Sequence, residues 1–170
     1  MGKSINSEGR VSIKKYLSKN DTGETSSHQD GIAIPKTQPE IIEFFPPLDN
    51  AIKNPACLLK FDGPDGVDRE FRYVYYNGKF FLKENGKYGT RNEYRLTRTT
   101  RFIRENGLSS GDSIIFHRTP ADLPDLSQQE IDELPYSRRY QLSIEIERLE
   151  IAQDRQGDEG PSQPKKTNVL

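Results

Sequence analysis

The sequence is short of the groups on which most chemistry depends. Apolar residues are only 32% of the 170 and the mean hydropathy is −0.87, which allows one modest core with polar tails. No run is long and apolar enough for a bilayer, and no secretory leader opens the chain, so a cytoplasmic protein is expected. The single cysteine, Cys57, excludes a disulfide framework. It stands in the apolar run Ala56-Cys57-Leu58-Leu59 and reads as a buried, inert thiol. The two histidines, His28 and His117, have no ligand spacing between them, which argues against zinc. Neither a phosphate-cradling GxxxxGK[ST] loop nor a GxSxG elbow occurs. A magnesium nuclease needs an acid followed by a spaced acid-x-Lys. Asp68-Arg69-Glu70 and Glu145-Ile146-Glu147 lack that Lys, and Glu145 and Glu147 read as the wet face of a strand. No catalytic residue and no metal ligand is assigned, so the chain is expected to do no covalent chemistry by itself. No internal repeat stands out.

What is present is polarised charge. The net charge is −1, yet Arg72 to Arg104 holds nine Lys or Arg against Glu84 and Glu93, while the stretch from Pro120 onward is acidic. Such a chain carries a strong local field without a net charge, and a local field is what phosphate contacts need. Within the basic stretch lies Thr90-Arg91-Asn92-Glu93-Tyr94-Arg95-Leu96-Thr97-Arg98. A guanidinium grips guanine, an Asn amide pairs with adenine, and a carboxylate accepts from the amino group of cytosine. A segment that only held phosphates would be weakened by Glu93, so the run points to base reading. The alternative is a solvated hairpin face with mixed charges.

A second candidate region follows the first predicted strand: Lys14-Lys15, then Lys19-Asn20-Asp21-Thr22-Gly23-Glu24-Thr25, then His28-Gln29. Turn chemistry accounts for Asn20, Asp21 and Gly23, but less well for the three lysines and His28 together.

Patterning predicts strands over 11–17, 31–35, 56–61, 70–76, 79–83, 94–97, 113–118 and 139–149, with a long polar loop over 18–31. Asn77-Gly78 predicts a tight hairpin. Short helices are expected over 41–45, after Pro39-Glu40, and over 99–106, stopped by Asn106-Gly107. The sum is a small, mainly antiparallel β barrel or open barrel. Residues 1–10 read as a flexible N-terminus, 11–152 as the domain, and 153–170 as a linker or disordered tail.

The combination of NDTGxTxxHQxGxxIP (Asn20–Pro35), YYN (Tyr75–Asn77) and TRNExRxTR (Thr90–Arg98) resembles the N-terminal effector-binding domain of EcoRII-type restriction endonucleases, over about residues 11 to 118. The stretch from Arg91 to Arg118, with GLxxGDSIIF (Gly107–Phe116), also resembles the plant B-three transcription-factor domain. The resemblance implies a seven-stranded open pseudobarrel with two short flanking helices, whose two arms enter the major groove of double-stranded DNA.

It further implies DNA contacts from His28 and one of Lys14 or Lys15 on the first arm and from Arg91, Glu93 and Arg95 on the second; the side chains beside them extend the expected contacts to Lys19, Asn20, Asp21, Thr22, Thr25 and Gln29, and to Asn92, Tyr94 and Arg98. Tandem Arg and a Glu suit a short G/C-rich site, and the resemblance implies one such as CCWGG. One copy with two arms needs no dimer, the lack of a ligand cluster leaves DNA binding without a cofactor, and a bacterial cytoplasm is expected. A C-terminal nuclease domain of the same protein would be the partner and the user of Mg2+. The chain departs from the family in an extra residue near Tyr16, in Tyr94 where the enzyme has a base, and in a longer insertion between Asn77 and Gly89. The alternatives are a stand-alone transcriptional regulator of the plant kind and a small nuclease.

Overall fold

Alternating apolar residues turn Val11 and Ile13, Ile114 and Phe116, and Leu142 and Ile144 to one side of their strands, and all six are buried. The computed structural model describes residues 2–25 and 30–150. Among them eight strands, β1 (Lys3–Ile5), β2 (Val11–Tyr16), β3 (Ile32–Ile34), β4 (Ala56–Asp62), β5 (Asp68–Tyr76), β6 (Glu93–Thr97), β7 (Ser113–Pro120) and β8 (Tyr140–Glu147), form one open sheet in the order β1-β2-β7-β8-β4-β5-β6-β3. Neighbours are antiparallel except at β4 and β8, which meet in parallel at Asp62 and Ser143. That paired position joins two halves whose inner faces share one core. Phe61 of β4 lies 5.5 Å from Phe116 of β7, centroid to centroid, and Phe45 stacks on Tyr73 of β5 at 4.5 Å. Each buried aromatic contributes on the order of 2–3 kcal/mol.

Among the described residues five short α-helices flank the sheet: α1 (Lys19–Thr22), α2 (Pro39–Ile42), α3 (Thr100–Glu105), α4 (Gln128–Glu133) and α5 (Tyr136–Arg139). Just past α2, Phe44 and Phe45 enter the core. Arg118 donates to the carbonyls of Glu43 at 3.0 Å and Phe44 at 2.9 Å, which satisfies acceptors that a helix end leaves orphaned. The Tyr136 hydroxyl also donates to the Phe44 carbonyl, and burial pushes its pKa up to about 12.

Four expectations are corrected. Among the described residues the sheet has eight strands rather than the seven that the resemblance implies, because Lys3–Ile5, read as flexible, pairs with β2 as an exposed edge. Among the described residues there are five α-helices rather than two. Ser18 and Ser127 each cap a short helix in a reciprocal box with the acid three residues on, Asp21 or Glu130. Four to six residues carry too few apolar positions to show a helical period. The polar loop over 18–31 therefore begins with a helical turn.

Finally, the hairpin at Asn77-Gly78 and the strand over 79–83 do not form. Asn77 is buried, accepts from the Asn54 N–H at 2.7 Å and donates to the Ile52 carbonyl at 2.8 Å. Its φ of −110° is not the positive value that a two-residue hairpin turn requires. A 3-10 turn, Gly78–Phe80, follows instead.

Candidate nucleic-acid interface

Two segments far apart in sequence meet because β3 pairs with β6, with Ile32 opposite Leu96, Ala33 opposite Arg95 and Ile34 opposite Tyr94. The first candidate loop returns to the sheet through β3, and the second runs into β6. Gly31 stands where they join. Its φ is +88°, and a Cβ there would lie 2.4 Å from the Leu96 carbonyl oxygen, so no other residue lets the strands approach.

The first loop is pinned by Asp21, which is 5% exposed. One carboxylate oxygen accepts from the Ser18 N–H (2.8 Å), the Ser18 hydroxyl (2.9 Å) and the Lys15 ammonium (2.9 Å), and the other from the Ala33 N–H (2.9 Å). Burial opposes the charge, but the Ser18 amide, Lys15 and the Ala33 amide outweigh it and hold the carboxyl below its ordinary value. Thr25 donates to Asn20 at 3.2 Å and Thr22 to Glu24 at 2.9 Å. Glu24 in turn accepts from the Ser110 N–H at 2.7 Å, and that bond lowers its pKa. Lys19 is exposed and forms no ion pair among the described residues. Lys14 points to the outer sheet face, where Glu147 binds it, whereas Lys15 is turned onto Asp21. His28 and Gln29 lie outside the described residues.

In the second segment Arg91 is exposed and doubly anchored. Its Nε and Nη2 donate to one oxygen of Glu93 at 3.0 and 2.7 Å, and its guanidinium lies 3.6 Å from the Tyr76 ring centroid. Asn92 accepts from the Tyr75 hydroxyl at 2.7 Å. Tyr94 stacks on Tyr75 at 4.3 Å and lies over Tyr73 at 5.7 Å, so its ring serves the protein's own aromatic column. Arg98 is exposed, with φ +64°, and reaches Glu70 at 3.2 Å. Arg95 does not face solvent. It is 1% exposed, and its Nε and Nη2 donate to the carbonyls of Asp30 (2.9 Å) and Gly31 (2.6 Å), with Glu93 3.5 Å from Nη1. A residue expected at the surface is instead the clasp that fastens the end of the first loop to the second.

The family described as "Restriction endonuclease EcoRII, N-terminal" matches residues 6–118. The chain belongs to the EcoRII N-terminal domain family. Among curated relatives, the type II restriction enzyme EcoRII of Escherichia coli is 40% identical over 87 residues, which are 49% of this chain and 20% of the enzyme. A protein of Oryza sativa subsp. japonica, named for AP2/ERF and B3 domains, is 32% identical over 114 residues, 64% of this chain and 30% of that protein. The chain thus spans well under half the length of either relative. A solved structure titled "Arabidopsis FUS3-DNA complex" is similar in fold, with a TM-score of 0.50 and 19% identity over 81% of this chain and 97% of that one. The fold is accordingly an open pseudobarrel similar to the B3 kind, with eight strands and five short helices among the described residues.

Several groups that build this surface carry no signal of their role in the sequence. Tyr76, inside the YYN motif, is the platform under Arg91. Asp30 supplies a carbonyl to Arg95 and a carboxylate that accepts from the Thr100 hydroxyl at 3.2 Å. On the outer face, Ser12, His117 and Glu145 form a line of bonds of 2.7 and 3.0 Å across β2, β7 and β8. Burial lowers the pKa of His117 against the pull of Glu145. Each member belongs to a different strand, so the line ties three strands. No three His, Cys, Asp or Glu side chains gather into a metal-holding group among the described residues, and no described helix is long and apolar enough to cross a membrane.

Proposed function

We propose that this chain recognises a specific double-stranded DNA sequence as one domain of a restriction endonuclease, reading a short G/C-rich site such as CCWGG from the major groove. The observation that carries the reading is the β3–β6 pairing, which joins the two motif-bearing segments on one sheet edge, with Arg91 exposed and Asn92 and Glu93 half-exposed where the second segment enters β6. Family membership supports it, as does the fold shared with a chain solved on DNA.

In this reading Arg91 grips guanine, Glu93 accepts from a cytosine amino group and Asn92 pairs with adenine. Lys19 and Arg98 hold phosphates, and Lys14 or Lys15, Asn20, Thr22, Thr25, His28 and Gln29 complete the first arm. Tyr94 supports the second arm from beneath. Asp21 and Arg95 position the arms without touching DNA. The contacts are hydrogen bonds and ion pairs, so binding needs no metal. Mg2+ belongs to a nuclease domain elsewhere in the protein, and one copy with two arms binds as a monomer, in the bacterial cytoplasm. The test is selection of bound sequences from a random duplex library in excess EDTA. One enriched short site supports the reading, whereas loss of specific binding in EDTA, or no enrichment, rejects it.

The longer match to the rice protein favours a second reading, a stand-alone transcriptional regulator. A cytosine methyltransferase gene beside this one would decide for restriction.

A further inference from the structure

The insertion between Asn77 and Thr90 carries Lys79, Lys83 and Lys87 against Glu84 alone. It also leaves large apolar side chains in water: Phe80 is 60% exposed, Leu82 60% and Tyr88 62%. The loop is nevertheless built firmly onto the second arm. The Lys79 N–H donates to the Arg91 carbonyl at 3.0 Å, the Gly89 N–H to the Gly78 carbonyl at 3.0 Å and the Lys83 N–H to the Lys87 carbonyl at 2.7 Å, while Leu82 and Tyr88 bridge. A Cβ on Gly89 would stand 3.0 Å from the backbone of Gly78, so glycine permits this close crossing. Lys53 faces the loop across a cleft of about 350 Å³ that Tyr76, Lys83, Thr90 and Arg91 also line.

The ammonium groups of this region, like Lys19 on the first arm, have no acid bound to them among the described residues. Lys14, Lys15, Lys60, Arg69 and Arg98 are each neutralised by an acid. None of Lys53, Lys79, Lys83 and Lys87 forms an ion pair among the described residues. A loop kept only for solubility has no use for three exposed apolar side chains. A patch for an ordinary protein partner would be depleted in lysine at its centre. A DNA duplex satisfies both features, with phosphates for the ammonium groups and sugar or thymine methyl surface for the apolar ones.

Position says which part of the duplex. The first arm returns to the sheet opposite Leu96, whereas the insertion departs after Tyr76, opposite Glu93. The two therefore lie at opposite ends of β6, separated by about 10 Å of strand, with the second arm between them. We propose that the insertion 78–89 is a third DNA-binding element, which grips duplex flanking the recognised site. This rests on the two-arm reading above.

The experiment compares the full chain with a Lys79→Gln/Lys83→Gln/Lys87→Gln variant on two duplexes. One is trimmed to the core selected from the random library, and the other extends that core by about ten base pairs, roughly one helical turn, on each side. Wild type should bind the long duplex about tenfold more tightly than the short one. The variant should lose that advantage, and its log–log salt slope on the long duplex should fall by about 2–3. Both proteins should bind the short duplex equally. A variant that keeps the long-duplex advantage, or that loses as much on the short duplex, overturns the proposal. A wild-type chain that shifts neither duplex overturns the two-arm reading instead. Phosphate ethylation of the flanks with wild type removes any dependence on the variant's folding. Interference there is expected, and its absence refutes the third element.

Discussion

Arg91 and Glu93, two residues apart on the same face of the second arm, are bound to each other in the free protein by two donors onto one carboxylate oxygen, 3.0 and 2.7 Å long. The other carboxylate oxygen lies 3.5 Å from the buried Arg95. Glu93 therefore holds an exposed guanidinium and a buried one at once, and the Tyr76 ring fixes the exposed one from below. The arrangement presents Arg91 in one orientation before any ligand arrives, which lowers the entropy lost on binding.

Glu93→Ala removes both the acceptor for cytosine and the clamp on Arg91. Specific affinity should fall by about 1–3 kcal/mol, while non-specific affinity holds or rises because a carboxylate no longer repels phosphate. Glu93→Gln keeps an acceptor and adds a donor, so it should relax the preference at one base pair. Equal specific affinity for Glu93→Ala and wild type in a gel shift would reduce this residue to a surface acid.

Arg95→Ala should show first in stability. It strands the carbonyls of Asp30 and Gly31 and leaves a cavity, at a cost of about 2–4 kcal/mol. Arg95→Lys should recover little, since one ammonium cannot span the positions that the guanidinium fork reaches. Urea denaturation measures both. Wild-type stability combined with a preference lost at a single base pair would make Arg95 a reader instead of a clasp.

The Asp21 carboxyl is held below its ordinary value of 3.8 in the folded protein, with burial opposing the shift and the Ser18 amide, Lys15 and the Ala33 amide producing it. The unfolded chain thus binds this proton more readily than the folded one. The stabilisation is complete above 3.8 and drains away as pH falls through that value towards the lowered one. Asp21→Asn should cost about 2 kcal/mol at neutral pH and flatten that limb. The difference between urea midpoints of the two proteins, followed from neutral to acid pH, isolates Asp21 from the other carboxylates. Parallel curves would contradict the assignment.

Readers and holders should separate in salt. Arg91→Ala should cost about 1–3 kcal/mol on the selected site and flatten discrimination at one pair. Lys19→Ala should weaken all duplexes alike and reduce the salt slope by about 1. Titrations at several salt concentrations distinguish the two, and identical behaviour would undo the division.

The sequence by itself determined the local chemistry. Period-two alternation marked β2, β5, β7 and β8, and the TRNEYR run named the side chains capable of reading bases. Those properties depend on neighbours only a few residues away. Only the tertiary structure decided which of those side chains meet solvent. Arg95 reads like Arg91 in the sequence, yet it is buried because the carbonyls of Asp30 and Gly31, 65 and 64 positions away, close over it. Lys14 and Lys15 read as equals until alternation sends one to Glu147 and the other to the buried Asp21. Asn77-Gly78 carries the dipeptide of a tight hairpin, but bonds from Asn77 to Ile52 and Asn54 hold its backbone elsewhere. In each case a contact made only in the folded chain outweighs a preference that neighbouring residues set.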